Sequence, residues 1–444
     1  MSKVKNVFKF ILSQKIFLII IAISFIGYCA NLNYDFKKNA QTKTYRRLLT
    51  SYDITSNTFL PYEILTRGRI DFSKESIKAM QTIEGLIKPH SVIKIGDKWY
   101  SGYPIMAGIL AVPVYAPAIL LNKIPTLLYQ IDYLKILVLG RIAGSFYTAL
   151  CVGIFYLILK NILRKLNKPV NFWTYIFIFF YAFATNLYSI ASRGLWQHTS
   201  SLLFNSLIIL FLIYAEDNPK FIKWTGLLCG LSFIARPTNI FMVLFTTLYI
   251  FIKKRKEFLR FAVLGGLMGI LLVAYNWLIF GSPFTNEYVA RNDTSFSTPI
   301  LTGLIGYLFS PSRSFLFVTP PLILSYYAIY KNFFKKGKIE VEVLLKYLGL
   351  AFISTLLMLS TWWCWYGADR FGYGFLTEWL PIIGLFTFLT TIEFKKPWKI
   401  ILIILMVYSL YTQVNAVWFR KSRCNSDHVW DFYCLKPVLE KQDY

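Results

Sequence analysis

The sequence is poor in charge: of its 444 residues only 16% are Asp, Glu, Lys or Arg, where soluble domains carry about 25%. A cytosolic globular protein is thereby excluded. Histidine is scarcer, and His90, His198 and His428 stand far apart. With no C-x-x-C and no H-E-x-x-H, nothing in the spacing points to a zinc site. A G-x-x-x-x-G-K-[ST] loop is missing, which argues against nucleotide hydrolysis. The lack of D-x-D argues against a metal-bound nucleotide-sugar donor. There is no internal repeat and no separate soluble domain. The apolar runs do not alternate with period two, so a porin-type barrel is excluded. No helix-turn-helix or ribonucleoprotein motif occurs, and nucleic acid is not an expected partner.

What the chain has in abundance is apolar surface. Hydrophobic residues make up 56%, with 39 Phe and 30 Tyr, far too much to leave solvated in a disordered chain. Long apolar runs recur between residues 16 and 418, which predicts an all-α polytopic membrane protein. The net charge of +26 fits basic cytoplasmic loops and contacts with anionic phospholipids. Lys3, Lys5, Lys9 and Lys15 precede the apolar stretch 16–30 without a small-x-small cleavage site. This reads as an uncleaved first span with its N-terminus in the cytoplasm.

Charge asymmetry orients the rest. Twelve apolar segments lie near 13–31, 104–121, 133–159, 170–190, 199–215, 224–236, 238–252, 261–280, 313–330, 343–361, 376–393 and 400–418. After residue 159, one alternating set of loops holds 18 basic residues and the other only five arginines, so the first set is cytoplasmic. That assignment holds only if 104–121 does not cross. Pro104, Pro113 and Pro117 interrupt it, and it reads as one or two interfacial helices at the outer surface. The expectation is about eleven spans, within a range of 10–13, and a C-terminus outside. The parts are an N-terminus and first span (1–31), a large outer loop with interfacial helices (32–132), a helical bundle (133–418) and an outer tail (419–444). Cys424 and Cys434 in that tail are either a disulfide or two thiols. Asn292-Asp293-Thr294 matches a glycosylation sequon, a triplet common by chance.

Polar residues collect on the outer side, where a charge beside a span needs a reason. They are Asp53 and Glu63 in the first loop, Arg193, His198, Arg236, Glu287 and Arg313, then Asp369, Arg370 and Glu378. Tyr103 and Glu287 complete the candidate set as its least constrained members. Arginines at a membrane surface suit a phosphate, because the guanidinium fork matches its oxygens. A carboxylate on the water side suits proton abstraction from an alcohol. Together these residue types suggest transfer from a lipid phosphate to a hydroxyl acceptor. Plainer roles compete: Arg236 and Arg313 as snorkelling guanidiniums, Glu63 as a helix cap, His198 as a helix-end polar residue, Asp369 and Arg370 as a pair. Trp196, Trp362, Trp363 and Trp365 read as interfacial anchors.

From about residue 50 to 385 the order of motifs resembles the GT-C superfamily of polytopic bacterial glycosyltransferases, whose members include the protein mannosyltransferases and aminoarabinose transferases. The resemblance rests on YDITSNTFLPYEILTRGRIDF, KWYSGYPIMAGILAVPVYAP, GLWQHTSSLL, GLLCGLSFIARPTN, YNWLIFGSPF, GLIGYLFSPSRSF and WWCWYGADRFGYGFLTEWLP, which fall in the family's order. It implies a GT-C-like fold in the bacterial cytoplasmic membrane and a polyprenyl phosphate sugar as donor. It further implies inversion at the anomeric carbon and a periplasmic active site. The acceptor would be an envelope glycan, lipid or protein. By position Asp53 matches the first-loop acid and would be the general base, with Arg313 near the lipid phosphate. A divalent metal is left open. The chain departs from relatives at Gly374, where they often carry arginine; Arg370, four residues earlier, is the candidate substitute. The rival reading is a transporter or flippase of a lipid-linked saccharide, against which stand the missing repeat and the charges gathered at one face.

Overall fold

In a computed structural model the residues described are 2–42, 48–121, 133–291, 295–334, 340–368, 370–419, 424 and 426–436. Asp369, the 292–294 sequon, and Arg420, Lys421 and Arg423 of the tail lie outside them. Helix dominates, as an apolar solvent demands when every backbone amide must bond within its own segment. Among the described residues seven helices are long and apolar enough to cross a membrane. They fall at Lys15–Lys37, Tyr133–Lys165, Gln197–Ala215, Arg255–Phe280, Val341–Ser360, Gly374–Thr391 and Lys396–Trp418. Leu267, Ile270, Leu271 and Leu278 on one of them, and Ile404 and Val407 on another, face outward. Apolar side chains in such numbers on an outer surface need lipid around them. The chain is an all-helical, multi-pass membrane protein.

Four shorter apolar helices accompany these: Met106–Leu120, Phe221–Ala235, Pro237–Lys253 and Ile300–Phe309. The last of them was not expected from the apolar runs. The expected segment 313–330 is broken instead into Phe315–Val318, a turn at Pro320–Ile323 and Leu324–Phe334. Pro320 and Pro321 lack the amides a continuous helix needs. Segment 170–190 also divides, because Thr185 caps a new short helix, Asn186–Ser189, after Phe172–Phe183. Residues 104–121 form one helix of 15 residues, Met106–Leu120, despite Pro113 and Pro117. At 1.5 Å per residue it is roughly 22 Å long, against about 30 Å of hydrocarbon.

The apolar side chains sort into two cores. One runs through the bundle, where Gln197–Ala215 lies between Tyr133–Lys165 and Phe221–Ala235. The other gathers the first loop, from Leu48 to Ile119, onto the start of Tyr133–Lys165 and onto Ile190, Leu195 and Trp196. Within this cap, Met106–Leu120 packs on Thr55–Arg67 so closely that a Cβ on Gly108 would meet the Asn57 carbonyl at 3.1 Å. A hairpin pairs Val92–Ile95 with Lys98–Ser101, its two-residue turn opened by Gly96 at φ 59°. The Phe72–Trp99 bridge ties it to the cap.

The described part of the tail lies against the bundle. Ser310 and Ser312 donate to the Val429 carbonyl, and Trp430 lies 6.3 Å from Trp365. Cys424 and Cys434 are both buried, and their thiols hydrogen-bond one another.

Candidate active site

Where the two cores meet, five charged or titratable side chains from four stretches of sequence form one chain of contacts. Asp53 sits in a single 3-10 turn, Tyr52–Ile54, capped by Ser51, whose Oγ accepts from the Asp53 amide at 3.3 Å. Its Oδ2 receives Arg370 Nη2 at 2.5 Å and its Oδ1 the Tyr103 hydroxyl at 2.7 Å. Arg370 Nη1 lies 3.0 Å from His198 Nε2. His198 Nδ1 lies 2.6 Å from Glu378 Oε2, and the other Glu378 oxygen accepts from Arg236 Nη1. His198 and Glu378 are fully enclosed; Asp53, at 21% exposure, is the open end.

Local sequence places each member. Arg236 ends the helix Phe221–Ala235 in an extended conformation (φ −162°, ψ 115°), as a residue before proline prefers. His198 opens Gln197–Ala215 behind an extended Trp196. Arg370 stands in a loop whose Gly367 and Gly372 have φ of 80° and 62°, values that glycine takes without cost. Ala368 in the same loop also has positive φ, 51°, and its carbonyl accepts from Arg313 Nη2 at 3.0 Å. That bond holds a strained residue in place. A Cβ on Gly374 would stand 3.2 Å from Cβ and Cδ of Arg370, so the glycine makes room for Arg370 to lie across it.

Aromatic rings wall the cluster. The Arg370 guanidinium stacks 4.6 Å from Trp196 and 4.8 Å from Phe375, and Arg236 lies 5.3 Å from the same Phe375. These faces hold the cations without neutralising them. Two buried donors, Arg236 Nε and Trp196 Nε1, have no hydrogen-bond partner among the described residues. Buried donors without acceptors are costly, and an anionic oxygen would satisfy them. Burial raises the Asp53 pKa, but the Arg370 charge and the Tyr103 hydroxyl work against it, and the carboxyl is held below its ordinary value. It is ionised across the neutral range. Burial and the Asp53 charge push the Tyr103 phenol well above 10.

Of the residues singled out in the sequence, Asp53, Tyr103, His198, Arg236, Arg370 and Glu378 therefore meet. The other four stand apart from this chain. Glu63 is buried and accepts from Arg67 (2.6 Å) and from the Ser73 amide (3.0 Å) and hydroxyl (2.7 Å), which ties two helices of the cap. Arg193 donates to Asn31 (2.7 Å) and Asp35 (2.8 Å) in a second buried cluster with Arg141. Arg313 is fully buried and grips the backbone carbonyls of Arg370, Ala368 and Cys424. It builds the Arg370 loop from behind. Glu287 is bonded to Tyr275 and beside Tyr288, whose hydroxyl donates to Gln197 at 2.5 Å. Burial raises its pKa to about 7.

No protein-family model, curated protein or solved structure matches the chain. The site rests on its own geometry.

That geometry adds residues the sequence did not suggest. His90 Nε2 lies 3.0 Å from the Tyr103 hydroxyl and 3.7 Å from Asp53. Arg291 stacks 4.5 Å from the Tyr103 ring and reaches His90 Nε2 at 3.1 Å. Neither stands in a recognisable motif; the register of the short hairpin, Val92 opposite Ser101, continued outward sets His90 opposite Tyr103. Among the described residues no three or more His, Cys, Asp or Glu group as metal ligands.

Proposed function

We propose that the chain is an inverting membrane glycosyltransferase. It moves a sugar from a polyprenyl phosphate to a hydroxyl acceptor at the outer face of a bacterial cytoplasmic membrane. The observation that carries the reading is the pairing of Asp53, the one partly open carboxylate of the chain, with a buried run of arginines that still has unused donors. The donor's phosphate binds to Arg370 and Arg236, and competition for Arg370 loosens its hold on Asp53. The freed carboxylate becomes a stronger base and takes the proton of the acceptor hydroxyl. The acceptor oxygen attacks the anomeric carbon as the bond to the phosphate oxygen breaks, and the electron pair leaves with the polyprenyl phosphate. The arginines stabilise that charge, so no acid is needed for the leaving group. Glu378 orients His198 and Arg236, and the Trp196 and Phe375 rings keep water from the phosphate.

The test uses purified full-length protein in lipid nanodiscs with a panel of polyprenyl phosphate hexoses and pentoses. Envelope extract serves as the acceptor, and released polyprenyl phosphate is the readout. Asp53→Asn is expected to lower release by at least about 100-fold, with thermal stability retained. Wild-type-like release in that variant removes Asp53 from the role. Labelled lipid crossing the bilayer with no release in the wild type replaces enzyme by flippase.

A further inference from the structure

A base that takes a proton at each turnover must also give it up. Asp53 is hemmed in: Arg370 occupies Oδ2 and Tyr103 occupies Oδ1. The Tyr103 hydroxyl, however, bridges Asp53 Oδ1 at 2.7 Å and His90 Nε2 at 3.0 Å. The His90 side chain is 49% exposed. We propose that Tyr103 and His90 form a proton relay that returns Asp53 to its ionised state, with His90 as the exit to the outer aqueous phase.

The direction of the relay follows from Arg291. A guanidinium only donates, and Arg291 Nη2 stands 3.1 Å from His90 Nε2. Nε2 is therefore the lone-pair nitrogen of the neutral ring, and the ring proton sits on Nδ1. A proton acquired by Asp53 passes from Oδ1 to the Tyr103 oxygen, while the phenol's own proton moves to His90 Nε2. The imidazolium then loses its Nδ1 proton to water. One proton leaves the site per acceptor hydroxyl consumed. Asp53 and Tyr103 are then back in their starting forms, while the ring is left as its Nε2–H tautomer; exchange with water at the half-exposed imidazole, one proton taken up at Nδ1 and one given up from Nε2, restores it. The charges described beside the ring favour this sequence. Arg291 beside Nε2 disfavours a lasting imidazolium, and Asp53, 3.7 Å away, is neutral at the moment of transfer. Glu84 holds the His90 amide at 2.5 Å, which fixes the loop. Arg370 lies on the far oxygen of Asp53. His90 acts through Tyr103 and so is a positioning and relay residue.

The proposal rests on Asp53 being the base, and two measurements separate it from that reading. In full-length protein labelled with 15N-histidine, the three rings are assigned by single substitutions. His90 is expected as the Nδ1–H tautomer at neutral pH; an Nε2–H ring overturns the relay. In the polyprenyl phosphate release assay, His90→Ala is expected to lose roughly 10- to 100-fold, to regain activity with added imidazole, and to lose the wild-type pH profile. Asp53→Asn should gain nothing from imidazole. If Asp53→Asn is inactive while His90→Ala releases polyprenyl phosphate at the wild-type rate, the relay falls and the base assignment stands. If the wild type releases none, both fall.

Discussion

Two buried polar clusters lie in this molecule, and they are built to opposite rules. The chain Asp53–Arg370–His198–Glu378–Arg236 balances two carboxylates against two guanidiniums. It ends in a partly open carboxylate and keeps an unbonded Arg236 Nε and Trp196 Nε1. The cluster Asn31, Asp35, Arg141 and Arg193 sets two guanidiniums around one carboxylate, with Asp35 and Arg141 each 1% exposed and Arg193 4%. It joins the end of the first helix to the start of Tyr133–Lys165 and to the loop before Gln197–Ala215. The first cluster meets solvent at Asp53, which is 21% exposed. The second also keeps unbonded donors, Arg141 Nε and Nη1, but they are enclosed with it, and it acts as a fastening between chain segments. A charge count alone would rank the second as the better anion site, and access reverses that ranking.

The comparison breaks most visibly at its two aspartates. Removing one partner from a buried ion pair leaves an uncompensated charge, at about 3–5 kcal/mol. Asp35→Asn is expected to destabilise by that amount, seen as a large fall in melting temperature in detergent. Asp53→Asn, at the open end, should fold as the wild type does and fail only in catalysis. An Asp35→Asn protein that melts like the wild type would show that the second cluster is not a fastening.

Arg313 sharpens the contrast, since it lies between structure and function. Its guanidinium holds three carbonyls, including those of Arg370 and of strained Ala368. Arg313→Gln should cost about 2–3 kcal/mol. It should also lower polyprenyl phosphate release by raising KM, because the loop that presents Arg370 relaxes. A drop in kcat alone would mean that Arg313 itself meets the phosphate.

How far the sequence goes depends on whether a signal is local. The helical class is legible in the apolar runs, and the types of the residues that meet, Asp53, Tyr103, His198, Arg236, Arg370 and Glu378, sit in the chain itself. The break at Pro320 and Pro321 was available to the same reasoning. His90 and Arg291 were not. His90 reaches Tyr103 through the register of a short hairpin that could be read only once its turn at Gly96 was placed, and Arg291 arrives from about 200 residues later, a contact that spacing does not encode. Arg313 shows the reverse failure. An outward arginine in a motif looks like a ligand, and only the carbonyls around it reveal a brace. Gly374 leaves the space that Arg370 lies across, a contact that only the fold reveals.

Glu287 has the smallest expected effect on turnover and tests the border of the site. Its carboxyl is buried beside Tyr275, and burial raises its pKa from an ordinary 4.5 to about 7. The folded state therefore holds a proton between those values that the unfolded state has released, so stability falls as pH rises through that window. The contribution is complete below about 4.5 and gone above about 7, with a span on the order of 3 kcal/mol. Denaturation of the wild type between pH 4.5 and 7.5 should show this slope. Glu287→Gln, which mimics the protonated acid, should remove it and leave the wild type's low-pH stability. The groups near the ring of Tyr288 carry the result to the site, because its hydroxyl positions Gln197 one residue before His198. If Glu287→Gln keeps the slope, the titration belongs to another group, and Glu287 is a solvated carboxylate outside the enclosed site.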